Sequence, residues 1–174
     1  MINLLRTDSD NSNFRALVVL LDQELRERDG EEHAFFAQFN KLDSIRHVVL
    51  AFQDNQLAGC GAFKEYTPGI AEVKRMFVHP AFRRRGVAGA ILSELELWAG
   101  ESGYSTCILE TGIRQPEAIS LYHKMSYTDI PNYGQYDGVE SSICMVKQIG
   151  NSWDSPSNYL LMNKRWLNLS NFAF

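Results

Sequence analysis

Residues 72–88 decide how this chain is expected to fold, and they read EVKRMFVHPAFRRRGVA. The apolar run of the first half ends at Val78, and Pro80 then breaks the strand because proline has no amide hydrogen for sheet pairing. Beyond Gly86, apolar residues return at helical spacing. The stretch therefore predicts a strand up to Val78, a short loop, and a helix from Gly86 to Glu101.

The start of this helix is a candidate anion-binding site. Three arginines, Arg83, Arg84 and Arg85, stand where the helix N-terminus already carries about +0.5 of a charge. Free backbone amides beside arginines suit phosphate groups, and the small residues Gly86 and Ala88 let a ligand approach the backbone. The alternative is a solvated basic turn, which an isolated run of arginines would favour.

The flanking sequence supplies the remaining elements of an α/β (α+β) fold. Turn signals at Asp54-Asn55 and Pro68-Gly69 separate strands that can pair as hairpins. The second half alternates strands with helices, which predicts a mixed sheet with helices on both faces. The predicted strands cover residues 2–6, 47–52, 56–66, 70–78, 106–110, 127–130 and 142–147, and the helices cover residues 12–28, 31–42, 86–101 and 116–125.

Two motifs resemble those of the GNAT acetyltransferases. Arg83-x-x-Gly86-x-Ala88 matches the family's Gln/Arg-x-x-Gly-x-Gly/Ala signature. Residues 115–127, QPEAISLYHKMSY, are similar to its second motif, Asn-x-x-Ala-x-x-Leu-Tyr-x-x-x-Gly-Phe. Gln115 and Ser126 depart from that motif, and the serine in place of glycine predicts a tight or strained turn. The resemblance extends over about residues 1–147.

This resemblance implies a mostly antiparallel sheet of six to seven strands, flanked by about four helices, with splayed fourth and fifth strands. Acetyl-CoA would lie in that gap as the co-substrate. The amides of Arg84 to Ala88 would hold its pyrophosphate, and the strand edge from Met76 to Val78 would pair with its pantetheine arm. The full set implied for the cofactor is Met76, Phe77, Val78, Arg83, Arg84, Arg85, Gly86, Val87, Ala88, Gln115 and Tyr122.

The implied activity is direct transfer of an acetyl group to a primary amine of a small molecule or peptide, within a ternary complex. This chemistry needs a base for the ammonium and an acid for the departing thiolate. Glu72 is the first candidate base, and it would share a strand face with Met76 and Val78 if no bulge intervenes. The alternative is that Glu72 only pairs with Lys74 or Arg75. Glu110, at the end of the fifth strand, is the second candidate base.

Tyr122 is the candidate acid for the departing thiolate. The alternative is that Tyr122 only packs in the core as an aromatic residue. The candidate acceptor residues are Glu110, Arg114, Tyr133 and Tyr136. Among these residues, the carboxylate of Glu110 would attract a cationic amine, and Arg114 would hold a carboxylate group of the acceptor. The tyrosines would line the acceptor side or serve packing alone. A non-catalytic acyl-CoA sensor on the same fold is the alternative function.

The net charge, the length of the apolar runs and the cysteine spacing restrict the partners, metal sites and location expected for this chain. The net charge of −4 argues against a nucleic-acid partner, because phosphate contacts need a basic surplus. No apolar run reaches the roughly 20 residues of a membrane span. The three cysteines lack metal-ligand spacing, so we expect no metal, reduced thiols and a cytoplasmic location.

The chain is expected to form one domain over residues 1–149, followed by an extension. Residues 150–174 lie beyond the resemblance and are rich in Asn and Ser, with scattered aromatic residues such as Trp153 and Trp166. We expect this extension to pack on the domain or on a second subunit of a homodimer, and the alternative is a frayed terminus.

Overall fold

A computed structural model describes residues 1–38 and 45–150 of the chain. Its strands are β1 (Ile2–Thr7), β2 (His47–Gln53), β3 (Gln56–Thr67), β4 (Ile70–Val78), β5 (Thr106–Gly112), β6 (Thr128–Ile130) and β7 (Ser142–Gln148). Its helices are α1 (Ser12–Asp29), α2 (His33–Ala37), α3 (Val87–Glu101) and α4 (Pro116–Lys124). Helices α1, α3 and α4 have nine residues or more, whereas α2 has only five. The sequence predicted about four helices, and the described residues form three long helices and this short one.

The described strands form one seven-stranded sheet in the order β1-β2-β3-β4-β5-β7-β6. Strands β4 and β5 are parallel, and the other neighbouring pairs are antiparallel. The predicted mixed, mostly antiparallel sheet is therefore confirmed. Helix α1 packs on one face of this sheet and α3 on the other, which places a separate apolar core on each side.

Strands β4 and β5 diverge along their length. Residues Ile70 to Val73 pair with Thr106 to Leu109, and the pairing then stops. Strand β4 continues to Val78 and β5 to Gly112 without further pairing between them. The predicted splay is confirmed, and it leaves the last residues of β4 with an unpaired edge.

A β-bulge in β4 reverses the strand's alternation between Glu72 and Met76. Cys60 lies opposite Phe77 and Ala62 lies opposite Lys74, so two β4 residues face the single residue between them. Arg75, at the bulge, has a φ of 58°. A bulge adds one residue to one strand, which moves every later side chain to the opposite face. The expectation that Glu72 shares a face with Met76 and Val78 is therefore wrong.

Close packing of α3 on the sheet depends on glycine in β3. A β-carbon at Gly61 would lie 2.5 Å from the sulfur of Met76 and 2.8 Å from side-chain carbons of Ile91 and Leu95. Any larger residue would force these side chains to move, since the contacts are shorter than side chains tolerate.

Two predicted segments differ from the structure or fall partly outside it. The helix expected over residues 31–42 begins as a 3-10 turn (Gly30–Glu32) and continues as the short α2, and residues 39–44 lie outside the described part. Phe36 is half-buried and Phe35 is exposed. The predicted extension, apart from Gly150, also lies outside the described residues.

Candidate active site

The start of α3 has the backbone geometry of an anion site. Gly86 occupies the N-cap position with a φ of 81°, and Arg84 has a φ of 61°. The first helical hydrogen bond runs from Ala90 N to Gly86 O, so the amides of residues 87–89 have no partner within the helix. A β-carbon at Gly86 would have no heavy atom within 4 Å. The backbone here is open to a ligand.

This helix start borders a cleft of about 730 Å³, here called the cofactor cleft. Its walls come from α1, the end of β4, the start of α3, and α4. Ten of the eleven cofactor residues predicted from the sequence line it. Arg85 is absent from the lining, and its guanidinium lies 5.8 Å from the centre of the Phe82 ring.

A chain of charged side chains runs along the mouth of the cofactor cleft. Arg83 donates to the carbonyl of Val78 at 2.9 Å and to the carboxylate of Glu24. Arg28 donates to Glu24 at 2.8 Å and to Glu117 on α4. We call these four side chains the mouth network, and they tie α1 both to the α3 start and to α4.

A second, smaller cavity of about 90 Å³ adjoins the first and is here called the acceptor cavity. Polar side chains from five segments line it: Asp29 from α1, Lys74 and Arg75 from β4, Glu110 and Thr111 from β5, Gln115 before α4, and Tyr136 from a 3-10 turn. Leu21, Leu25, Met76, Gln115 and Tyr122 line both spaces. The cofactor cleft and the acceptor cavity therefore meet along these five residues, which include Tyr122.

Tyr122 is a core aromatic residue that also borders both spaces. It is 6% exposed, and its ring packs edge-on against Tyr127 at 5.8 Å between centroids. Among the described residues, no group forms a hydrogen bond with its hydroxyl. Burial, and secondarily the charge of Glu110, raises the pKa of Tyr122, so its proton is retained at neutral pH.

Glu110 is an acceptor-cavity carboxylate whose pKa lies near neutrality. Its burial raises the pKa to about 7, while the hydrogen bond from Ser142 Oγ, at 2.6 Å, and the charge of Lys74 oppose this rise. A group with a pKa near the working pH exchanges protons efficiently. Glu110 therefore lines the acceptor cavity with a pKa at which it can exchange protons near neutral pH.

Comparison with known proteins identifies the family. The model of the family described as "Acetyltransferase (GNAT) family" matches residues 13–127. The chain belongs to the GNAT acetyltransferase family. A curated relative named "IAA acetyltransferase", from Azospirillum brasilense, is 33% identical over 150 residues, which cover 82% of this chain and 97% of the relative.

Solved structures share the GNAT fold. A structure from Klebsiella pneumoniae, described as that of an acyl-CoA N-acyltransferase, has a TM-score of 0.72 and 25% identity, covering 86% of this chain and 98% of its own. A GNAT acetyltransferase from Elizabethkingia anophelis, solved with acetyl-CoA bound, has a TM-score of 0.62 and 19% identity over 84% of this chain and 97% of its own. This second likeness concerns the fold alone.

Glu72, the first candidate base of this GNAT chain, lines neither space. It is 2% exposed, with Lys74 Nζ at 3.3 Å and Lys64 Nζ at 3.7 Å. The hydroxyl of Tyr133 donates to the same carboxylate at 3.3 Å. Glu72 therefore supports Lys74 from behind the acceptor cavity, and a catalytic role for it stays a prediction.

The other candidate acceptor residues are divided between the cavity and its surroundings. Tyr136 lines the cavity, and its hydroxyl accepts from Lys74 at 3.5 Å. Tyr133 is buried behind it. Arg114 donates to the backbone carbonyls of Arg28 and Asp29 at 3.1 and 2.9 Å, and so secures the end of α1.

Two departures from the family motif have visible consequences. Ser126 adopts a left-handed φ of 69°, which confirms the strained turn expected where the family has glycine. Gln115 takes the N-cap position of α4 without a side-chain capping bond, and its side chain borders both spaces.

Sequence reasoning missed Asp29 and Lys74, which both line the acceptor cavity. Lys74 stands two positions after Glu72 in β4, and this spacing was its available signal. Asp29 had no such signal, because it ends a helix far away in the sequence.

Within the described ranges, no helix is both long and apolar enough to span a membrane. In the same ranges, no cluster of three or more His, Cys, Asp or Glu side chains is arranged for a metal ion.

Proposed function

We propose that this GNAT protein transfers the acetyl group of acetyl-CoA directly to a primary amine of a small molecule or peptide, in a ternary complex. The observation that carries the proposal is the junction of the two spaces at Tyr122, with Glu110 on the acceptor side. Direct transfer needs both substrates to meet at one point, and this junction provides it.

The cofactor cleft fits the chemistry of coenzyme A. Unpartnered amides at the α3 start suit a diphosphate, and the left-handed Gly86 leaves the approach to them open. Arg84 also lines this part of the cleft. The edge of β4 beyond Val73 is unpaired with β5 and suits the amides of a pantetheine arm. When bound, acetyl-CoA would supply the activated acetyl group.

Glu110 would accept the proton of the acceptor ammonium. An ammonium group has no lone pair, so the amine must lose a proton before it can attack. With a pKa of about 7, Glu110 is half ionised at neutral pH and accepts a proton reversibly. Lys74, held by Glu72 and Tyr136, would favour the ionised form of Glu110.

Tyr122 would donate a proton or a hydrogen bond to the departing thiolate. Its raised pKa keeps the phenol protonated, so the hydroxyl is available as a donor throughout the neutral range. The presence of Glu110 in the acceptor cavity and of Tyr122 at its border with the cofactor cleft favours catalysis over a non-catalytic acyl-CoA sensor on the same fold. The name of the Azospirillum brasilense relative, "IAA acetyltransferase", agrees with acetyl transfer.

Two measurements test this function. Native mass spectrometry of the purified protein with acetyl-CoA should show a complex with one coenzyme per chain. A turnover screen against amines should then release free coenzyme A, and Glu110→Gln should abolish most of that release. Tight coenzyme binding without transfer to any amine would support the sensor, and no binding would refute both functions.

A further inference from the structure

The acceptor cavity contains one carboxylate that the proposed chemistry does not use. The side chain of Asp29 is 8% exposed and lines the cavity from the end of α1. Within residues 1–38 and 45–150, its carboxylate receives no hydrogen bond. The nearest basic nitrogen, His33 Nδ1, lies 4.0 Å from Asp29 Oδ2, which is beyond hydrogen-bond distance.

The position of Asp29 is unfavourable for folding. It is the last residue of α1, where the partial negative charge of the helix end repels an anion. Its burial also raises the pKa of the carboxyl, while His33, Arg114 and Arg28 lower it and Glu32 raises it. A buried carboxylate normally acquires a close partner, because removing its charge from water is costly.

The cations of the cavity wall do not provide that partner. Lys74 Nζ lies 3.3 Å from Glu72, and Arg75 donates to Asp22 at 2.7 Å. Arg114 directs its guanidinium to the backbone carbonyls of Arg28 and Asp29 and lies 3.8 Å from Glu32. Apart from His33, whose Nδ1 lies 4.0 Å from Asp29 Oδ2, the basic groups around the cavity are matched by other groups, and no described cation lies within hydrogen-bond distance of the Asp29 carboxylate.

We propose that Asp29 binds a second cationic group of the acceptor, which makes the substrate class a diamine or polyamine. This inference rests on the proposed acetyl transfer. One amino group would lie beside Glu110 and Tyr122 for reaction, and the other would remain protonated against Asp29. An ammonium group offers three N–H donors, so it can bind more than one acceptor atom. The buried Nδ1 of His33, which has no hydrogen-bond partner among the described residues, is a further polar atom close to Asp29.

The test compares 1,4-diaminobutane with butylamine, which share chain length but differ by one charge. We expect the protein to have a higher kcat/KM for the diamine, and Asp29→Asn to lower the diamine-to-butylamine ratio at least about tenfold, as for loss of a hydrogen bond to a charged group. Glu27→Gln is the matched control, because Glu27 is exposed on the same helix and lines neither space. Its ratio should equal that of the parent.

Thermal unfolding separates binding from a structural role. If Asp29 is kept for the acceptor, Asp29→Asn should unfold at an equal or higher temperature than the parent without ligand. The diamine should stabilise the parent more than butylamine does, and this difference should vanish in the variant. A fall of more than about 4 °C in both Asp29→Asn and Asp29→Ser would reveal a structural partner and overturn the proposal.

The remaining outcomes distinguish this proposal from the proposed function. Equal kcat/KM values for the two amines, or an unchanged ratio in Asp29→Asn, would overturn the role of Asp29 and leave acetyl transfer intact. Preferential diamine binding that depends on Asp29, without turnover of any amine, would refute acetyl transfer and retain the cation site.

Discussion

The cofactor cleft and the acceptor cavity share a border but are built differently. The α3 start offers backbone amides, small residues and one left-handed glycine, all from a single stretch of chain. The acceptor cavity collects polar side chains from five separate segments, including the titratable Asp29, Lys74 and Glu110. The first space is suited to holding a ligand, and the second to moving protons.

This difference predicts different consequences of substitution. Changes in the cofactor cleft should alter the affinity for acetyl-CoA, because the backbone there binds without exchanging protons. Changes in the acceptor cavity should alter the rate and its pH dependence, because its side chains titrate. The following variants test that division in order of decreasing expected effect.

The largest effect is expected for Glu110→Gln. The amide cannot accept a proton, so kcat at pH 7.5 should fall by about 10²–10⁴-fold, the usual worth of general base catalysis. Acetyl-CoA affinity, measured by calorimetry, should stay within about twofold of the parent. Ser142→Ala is a milder companion, since it removes only the hydrogen bond to Glu110. A Glu110→Gln rate near the parent rate would refute Glu110 as the base.

The pH dependence of the parent protein follows from the same carboxylate. Glu110 acts as a base only when ionised, so kcat/KM should rise as the pH passes upward through about 7. Because the folded pKa exceeds the ordinary value of 4.5, the folded state retains the proton longer than the unfolded state does. Stability from this group is thus present below about pH 4.5 and lost as the pH rises through about 7. Glu110→Gln should therefore raise Tm relative to the parent at pH 8 and change it little at pH 4.5.

Tyr122→Phe is expected to have the next largest effect. If the hydroxyl serves the departing thiolate, kcat and kcat/KM should fall together, within or somewhat below the range of about 10²–10⁴-fold. The ring remains against Tyr127, so stability and cofactor affinity should change little. Single-turnover rates at saturating acetyl-CoA measure this step. A rate within about threefold of the parent, with chemistry limiting, would remove Tyr122 from the mechanism.

The cofactor cleft should respond through affinity. We expect the parent to bind acetyl-CoA with a micromolar Kd, or about 8 kcal/mol. Gly86→Val should weaken this binding at least about tenfold, because a β-branched residue opposes the φ of 81° and its side chain would occupy the approach to the amides. Gly100→Ala, near the other end of α3, is the control and should leave Kd unchanged. Calorimetry that showed equal affinity for Gly86→Val would exclude this site.

The two spaces also differ in how far the sequence predicted them. The strand bounds of β4 and the helix start at Gly86 followed from local residues, because proline, glycine and helical spacing act over short distances. The divergence of β4 from β5 was implied only by the family resemblance. The contiguous motif thus predicted the part of the cofactor cleft formed by the end of β4 and the start of α3, whereas its α1 wall, with Glu24 and Arg28, was not predicted.

The acceptor cavity was predicted poorly for physical reasons. The bulge at Arg75 reverses which face Glu72 occupies, and alternation along a strand contains no signal for one inserted residue. The pKa of Glu110 depends on burial among β5, β7 and α1, which is a tertiary property. Asp29 belongs to the cavity only because α1 ends beside β5.

The smallest effect is expected for the mouth network. Whether the affinity for acetyl-CoA rises or falls there tests the division between the two spaces. Glu24 lines the cofactor cleft and accepts hydrogen bonds from both Arg83 and Arg28. Its negative charge would oppose the phosphates proposed to bind at the α3 start, so Glu24→Gln should tighten acetyl-CoA binding by about two- to fivefold, in the range of a single partly exposed charge pair. Because salt screens exposed charges, the gain should be larger at low ionic strength than at high. Calorimetry at two salt concentrations measures it, with Glu27→Gln as the control that removes an equal charge from the same helix. Weaker binding in Glu24→Gln would mean that Glu24 instead holds Arg83 in its binding position, and the affinity of the cleft would then depend on side-chain placement as well as on backbone amides.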